Sequence, residues 1–308
     1  MKVDQVPFAW GSRLLAALLL VASISFAQAP ALTTIYSFGG VTPSPIVVGP
    51  GGVLYGTQFS SGIVYSLTPP TSPGGAWTPT TLTNILSLGP KGPLVLDRDG
   101  VLYGTTQTKG LFTGCLMQHT CGTVFELAPP ASSGGAWKLR LLHVFTDENG
   151  AGWGPTSGVA IGPGHVLYGS TTFGNAGTIF SLAPLSSPGG SWLFSTLYSF
   201  TGRSDGSGPG ELTYTPAGLL GTTGAAGLGY GTIYLLTTPA MPGGSWGFQT
   251  IYTFTGGADG GGPSNLAIGK DGGLYGTTHS GGSNGQRYGI LADGANFARG
   301  LVESYNSV

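Results

Sequence analysis

Few side chains in this sequence are equipped for chemistry. Asp, Glu, Lys and Arg make up 7% of the 308 residues, far below the roughly 25% of an ordinary soluble domain. Four of the 12 acidic ones stand in glycine-rich stretches with other polar or aromatic residues: Asp147, Glu148 and Trp153 in TDENGAGWGP, Arg203 and Asp205 in TGRSDGSGP, and Asp259 in TGGADGGGP. Phe173, Tyr230 and His279 stand in a second set of turn-like segments. Aromatic faces beside carboxylates suit a sugar, the rings covering its apolar face and the carboxylates accepting from its hydroxyls. Glycoside hydrolysis asks for two carboxylates facing each other at a set separation, whereas Asp recurs here as repeat decoration. A competing reading needs no ligand. Asp-Gly is a preferred tight-turn pair because Gly accepts positive φ and Asp bonds nearby backbone, and this turn reading is the stronger.

The other candidates are thinner. His119, His143, His165 and His279 share no spacing and have no nucleophile motif beside them, so packing or surface roles are expected. Each acidic loop offers one or two carboxylates and none follows the EF-hand pattern, so no metal and no cofactor is expected. Trp77, Trp137, Trp192 and Trp246 recur after Gly-Gly-small and read as blade packing. Trp153 lies outside that series. It is either a stacking platform or a loop residue folded over its neighbours, and it is the best single ligand-binding expectation.

The first 27 residues read as a secretory signal peptide: Lys2 and Arg13, then LLAALLLVASISF, then small residues at Ser25 and Ala27 before the cut. No Cys follows to make a lipoprotein, and the apolar run is too short for a bilayer span. Removing Lys2, Asp4 and Arg13 leaves 9 basic and 11 acidic groups, scattered without runs, so neither nucleic acid nor an anionic membrane has an electrostatic footprint to meet. Export makes a disulfide the expected state of Cys115 and Cys121, ahead of free thiols or a metal held with His119.

Internal repetition must position all of these residues. Leu-Tyr-Gly-Thr or a close copy ends at Thr57, Thr105, Ser170, Thr222 and Thr277, with glycine spacings of 48, 65, 52 and 55. A Gly-x-(Val/Ile)-aromatic phrase follows at Gly62, Gly122, Gly177 and Gly231, then the Trp phrase; a proline phrase leads in at Pro45, Pro93, Pro155, Pro209 and Pro263. Short β-branched or aromatic phrases bounded by Gly, Pro, Asp and Ser are strands joined by tight turns. Four per period of about 50 residues predict an all-β fold, a β-propeller of about five four-stranded blades. The turns after each outer strand and those between the second and third strands then share one face, which carries the candidate residues. TTIYSF at 33–38 copies the outer-strand ending, so it is expected to close the ring as the missing fourth strand of the fifth blade.

These phrases, LYGTT with GTVF or GTIF and GGxW with LYxF over about residues 31–280, resemble the GloVer tandem repeat of exported bacterial "choice-of-anchor" proteins. The resemblance implies a secreted or surface protein, often held by an interchangeable C-terminal anchor, with no catalytic residue set. After Gly285 the sequence departs from the repeat and no anchor follows, as a truncation or frame change in the gene would leave it. The expected organisation is a signal peptide at 1–27, five GloVer-type repeats at 28–292 and a divergent tail at 293–308. The expected function is a secreted, non-catalytic binding or structural module whose partner is an extracellular polysaccharide or a surface protein. The alternative is an exported glycan-active enzyme, a hydrolase or lyase, using the carboxylates of that face.

Overall fold

The computed structural model describes residues 33–41, 43–85, 89–107, 122–132, 134–146, 152–185, 190–225, 229–241, 243–280, 287–290 and 302–304. It separates into two compact units, Met1–Ile35 and Tyr36–Val308. Of the first, only 33–35 are described, in no regular secondary structure.

The second unit is a five-bladed β-propeller. Blade 1 is β1 (Val47–Val48), β2 (Leu54–Gln58), β3 (Ile63–Thr68) and β4 (Thr78–Asn84); blade 2 is β5 (Val95–Leu96), β6 (Leu102–Thr106), β7 (Thr123–Ala128) and β8 (Lys138–Val144). Blade 3 is β9 (Ala160–Ile161), β10 (Leu167–Thr171), β11 (Thr178–Pro184) and β12 (Trp192–Ser199). Blade 4 is β13 (Ser207–Thr215), β14 (Gly218–Ala225), β15 (Thr232–Thr237) and β16 (Gly247–Thr253). In blade 5 the inner strand comes in two pieces, β17 (Gly261–Pro263) and β18 (Ala267–Ile268), both paired with β19 (Leu274–Ser280), followed by β20 (Arg287–Ile290) and β21 (Val302–Ser304). Every pairing is antiparallel. Among the described residues no helix is long and apolar enough to cross a membrane.

Each phrase of the repeat has a packing job. The glycine of Leu-Tyr-Gly sits opposite the aromatic of the third strand, Gly104 across from Phe125 and Gly169 across from Phe180. The ring lies over the bare backbone, and a Cβ on Gly104 would come 2.6 Å from Phe125 Cζ. The tryptophan of one blade meets the tyrosine of the blade before it edge-on: Trp137 on Tyr55, Trp192 on Tyr103 and Trp246 on Tyr168, with ring centres 5.9 to 6.2 Å apart. Blade 4 has Leu220 in place of that tyrosine, and the next blade is the one without the tryptophan. The expected packing role of the Trp series holds for these three. The hydroxyl ending the phrase reaches the next blade's inner strand or the segment leading into it, Thr105 Oγ1 donating to Ser157 O at 2.6 Å and Ser170 Oγ to Gly210 O at 2.7 Å.

One expectation is corrected. Residues 33–38 form no strand; the outer edge of β20 is taken by β21, with Tyr288 opposite Ser304. The edge that a fourth strand would complete is thus filled from the C-terminal side, and the divergent tail contributes a blade strand. The end of the N-terminal copy still keeps its packing position. Tyr36 and Phe38 meet edge-on at 4.8 Å, as Tyr198 and Phe200 do at 5.0 Å. Phe38 then rests against Tyr65 at 4.7 Å, as Phe200 rests against Tyr234 of the following blade at 5.3 Å.

Candidate functional site

Antiparallel blades place the outer-to-inner crossings and the hairpins between second and third strands on one face. Phe59, Phe173 and Tyr230 project from those hairpins in blades 1, 3 and 4, each 37 to 44% exposed. Glycine makes room for two of them. Gly154, at φ +66, lies under Phe173, where a Cβ would come 2.5 Å from the ring; Gly256, at φ +75, lies under Tyr230, where it would come 2.2 Å away. A side chain at either position would lift the ring off its bed. Trp153 is half-buried and stacks on Phe173 at 4.6 Å and 23°, with both backbone bonds exchanged between the two residues. Phe173 is therefore the more exposed ring of the pair and Trp153 backs it, the packed one of the two roles expected for Trp153.

The carboxylates are spent on their own turns. Asp205 Oδ2 accepts from Thr201 N at 2.7 Å and Tyr198 OH at 3.1 Å, and Oδ1 accepts from Thr201 Oγ1 at 2.7 Å and Arg203 N at 3.1 Å. Asp259 repeats the arrangement with Thr255 N, Thr255 Oγ1 and Tyr252 OH at 2.6 to 3.0 Å. Burial alone would raise both carboxyls, but these donors outweigh it and hold them below the usual carboxylate range. The tyrosines move the other way, Tyr198 and Tyr252 both pushed up to about 12 by burial and by the carboxylate each faces. Tight-turn chemistry is what the structure gives these two residues.

The face assembles in local groups. Tyr230 covers Gly256 and Gly261 of the Asp259 turn, and Gly262 O of the same stretch lies 2.7 Å from His279 Nδ1, so Tyr230, Asp259 and His279 share one seam. The Asp205 turn packs on the blade 3 hairpin through Gly208 N and Ala176 O, with Arg203 exposed at its tip. Asp147, Glu148, Cys115 and Cys121 lie outside the described residues, as does the expected disulfide. His143 is a packing residue: it stacks on Phe194 of the next blade at 4.1 Å and 8°, and burial pushes it down to about 4.

One grouping escaped the sequence reading. Asp97, Asp99 and His165 come together on the opposite face, at the seam of blades 2 and 3, with their ligand atoms within 4.8 Å of one another. A signal was present: Asp97 stands where the other turns carry Gly49, Gly162 and Gly269, and His165 where they carry Gly52, Gly100 and Gly272.

No family model and no curated protein matches the sequence. Among solved structures the fold resembles the PQQ-bound form of aldose sugar dehydrogenase from Streptomyces coelicolor, at 16% identity over 90% of this chain and 84% of that one, TM-score 0.56. It also resembles a catalytically inactive virginiamycin B lyase from Staphylococcus aureus, solved with quinupristin, at 15% identity over 87% and 70%, TM-score 0.53. A chain of a nidogen/laminin complex matches at 13% identity over 81% and 76%, TM-score 0.51. At such identities the likeness is one of fold.

Proposed function

We propose that this protein is an exported, non-catalytic propeller of the GloVer type that binds a neutral extracellular polysaccharide across the face carrying Phe59, Phe173 and Tyr230. The observation that carries the reading is a division of labour. The aromatic rings in the hairpin between second and third strands of three blades are exposed, two of them bedded on glycine, while Asp205 and Asp259 are engaged by their own turns. Exposed rings whose neighbouring carboxylates Asp205 and Asp259 are engaged by their own turns favour the apolar faces of an uncharged sugar chain. The sugar dehydrogenase among the structural neighbours bears on the glycan-active alternative, which would need two carboxylates free to act on one bond.

The test pairs affinity electrophoresis on neutral polysaccharides with a screen for released reducing ends or unsaturated products. Phe173→Ala and Tyr230→Ala should each weaken retention at least about tenfold, in line with about 1.4 kcal/mol for a stacked ring. Retention unaltered by both changes would move the site elsewhere. Product release would replace the reading with the enzymatic one.

A further inference from the structure

The turns joining first and second strands are built to one pattern, with two departures that meet. In blades 1, 3 and 5 the turn opens on Gly49, Gly162 and Gly269, where an added Cβ would come 2.5 to 2.6 Å from the ring of Tyr55, Tyr168 or Tyr275. Blade 2 places Asp97 there. The fourth turn position is glycine at φ +76, +81 and +79 in Gly52, Gly100 and Gly272, yet blade 3 places His165 there at φ +61, a conformation that L side chains adopt at a cost. The two unusual residues belong to neighbouring blades and face each other, His165 Nδ1 lying 3.9 Å from Asp97 Oδ2.

The Asp97 side chain is only 4% exposed. Its Oδ1 accepts from Asp99 N at 2.9 Å and Val101 N at 2.8 Å, which shapes the turn. Oδ2 has a single long bond, from Tyr103 OH at 3.3 Å, and points at the imidazole across a gap too wide for a hydrogen bond. A buried carboxylate oxygen so weakly held, opposite a nitrogen donor on another blade, is a place for a cation. Asp99 adds a second carboxylate. It is 63% exposed and lies 3.8 Å from Arg98, itself 82% exposed.

We propose that Asp97, Asp99 and His165 form a divalent transition-metal site, suited to zinc, that clasps blades 2 and 3. An imidazole nitrogen with two carboxylates fits zinc rather than calcium, which takes six or more oxygens. Donors on one zinc ion stand roughly 3.3 Å apart, from bond lengths near 2.1 Å. The present separations, 3.9 Å between His165 and Asp97 and at most 4.8 Å within the group, close by about 0.6 to 1.5 Å through rotation of His165 and the exposed Asp99. The site lies on the face opposite the aromatic rings and does not rest on the polysaccharide reading.

The test is zinc titration of EDTA-stripped, desalted protein, followed by calorimetry and thermal melting. One equivalent should bind, with a saturable rise in melting temperature. His165→Gly restores the residue that three other blades carry, so it should fold at least as well without metal while losing zinc affinity at least about tenfold. Asp99→Asn should weaken binding too, and His119→Ala, beside the two cysteines, should leave it unchanged. Zinc binding that survives His165→Gly, or no bound equivalent in the parent protein, would overturn the proposal.

Discussion

The two faces of the ring use the same residue in opposite ways. On the aromatic face, Asp205 and Asp259 each sit in a glycine-rich turn, and donors from the same turn and the strand before it occupy both carboxylate oxygens. On the other face, Asp97 also shapes its own turn, but one oxygen looks across a blade seam to His165. Asp205 and Asp259 repeat each other; Asp97 and His165 both break the pattern of their turn. In a repeat protein, an acidic side chain that recurs with its donors is part of the scaffold. One that replaces a glycine and faces another replaced glycine is a better candidate for chemistry.

The sharpest way to break this comparison is to remove a scaffold carboxylate. Asp205→Ala strands Thr201 N, Thr201 Oγ1, Tyr198 OH and Arg203 N, and several bonds to a charged acceptor are lost at once. The expected cost is about 3 kcal/mol in urea unfolding. Asp99→Ala, at an exposed side chain, should change stability by less than about 0.5 kcal/mol without metal. Equal effects would erase the distinction between the faces.

Acid should separate the half-buried His143 from the turns. His143 is held at about 4 against an ordinary 6.5, so between those values the unfolded chain binds a proton that the folded chain refuses. Stability is then lost as pH falls from 6.5 toward 4, by about 2 to 3 kcal/mol. His143→Phe should flatten that limb, keeping the stack on Phe194. Asp205 and Asp259 have depressed carboxyls, so their contribution is present above about pH 4 and disappears only below it, as they protonate in the folded state. A His143→Phe variant with an unchanged slope from pH 6.5 to 4 would show that this ring is solvated.

Most of the fold could be read from the sequence because each phrase meets a fixed partner. Gly104 under Phe125, Trp192 on Tyr103 and Thr105 on the next blade are contacts that the repeat writes more than once, so periodicity reveals them. The closing strand could not be read so, because it depends on which of two segments takes a single edge: TTIYSF matches the pattern, but Val302–Ser304 pairs with β20. The site was legible in part. Phe173, Tyr230 and the turn role of Asp205 follow from type and place, whereas the stacking of Trp153 beneath Phe173 depends on a backbone bridge that nothing in the spacing announces. Asp97 and His165 are hard to see in the sequence because neither belongs to a recurring phrase, and His165 stands out only against Gly52, Gly100 and Gly272, its equivalents in the other turns.

The smallest expected effect bears most directly on why His165 is there. A non-glycine residue at φ +61 carries a backbone penalty of about 1 kcal/mol relative to glycine. No hydrogen bond to Asp97 offsets that in the absence of metal, since the approach is 3.9 Å. In EDTA, His165→Gly should therefore raise stability by roughly 0.5 to 1 kcal/mol, even after the added freedom of the unfolded chain is counted. In saturating zinc the order should reverse, because only the parent protein gains from the ligand. Urea unfolding of both proteins under the two conditions measures the crossing. Parallel curves, with the parent more stable in EDTA by the same margin as in zinc, would mean that His165 is kept for packing at the blade seam, and the contrast between the two faces would narrow to a difference in turn geometry.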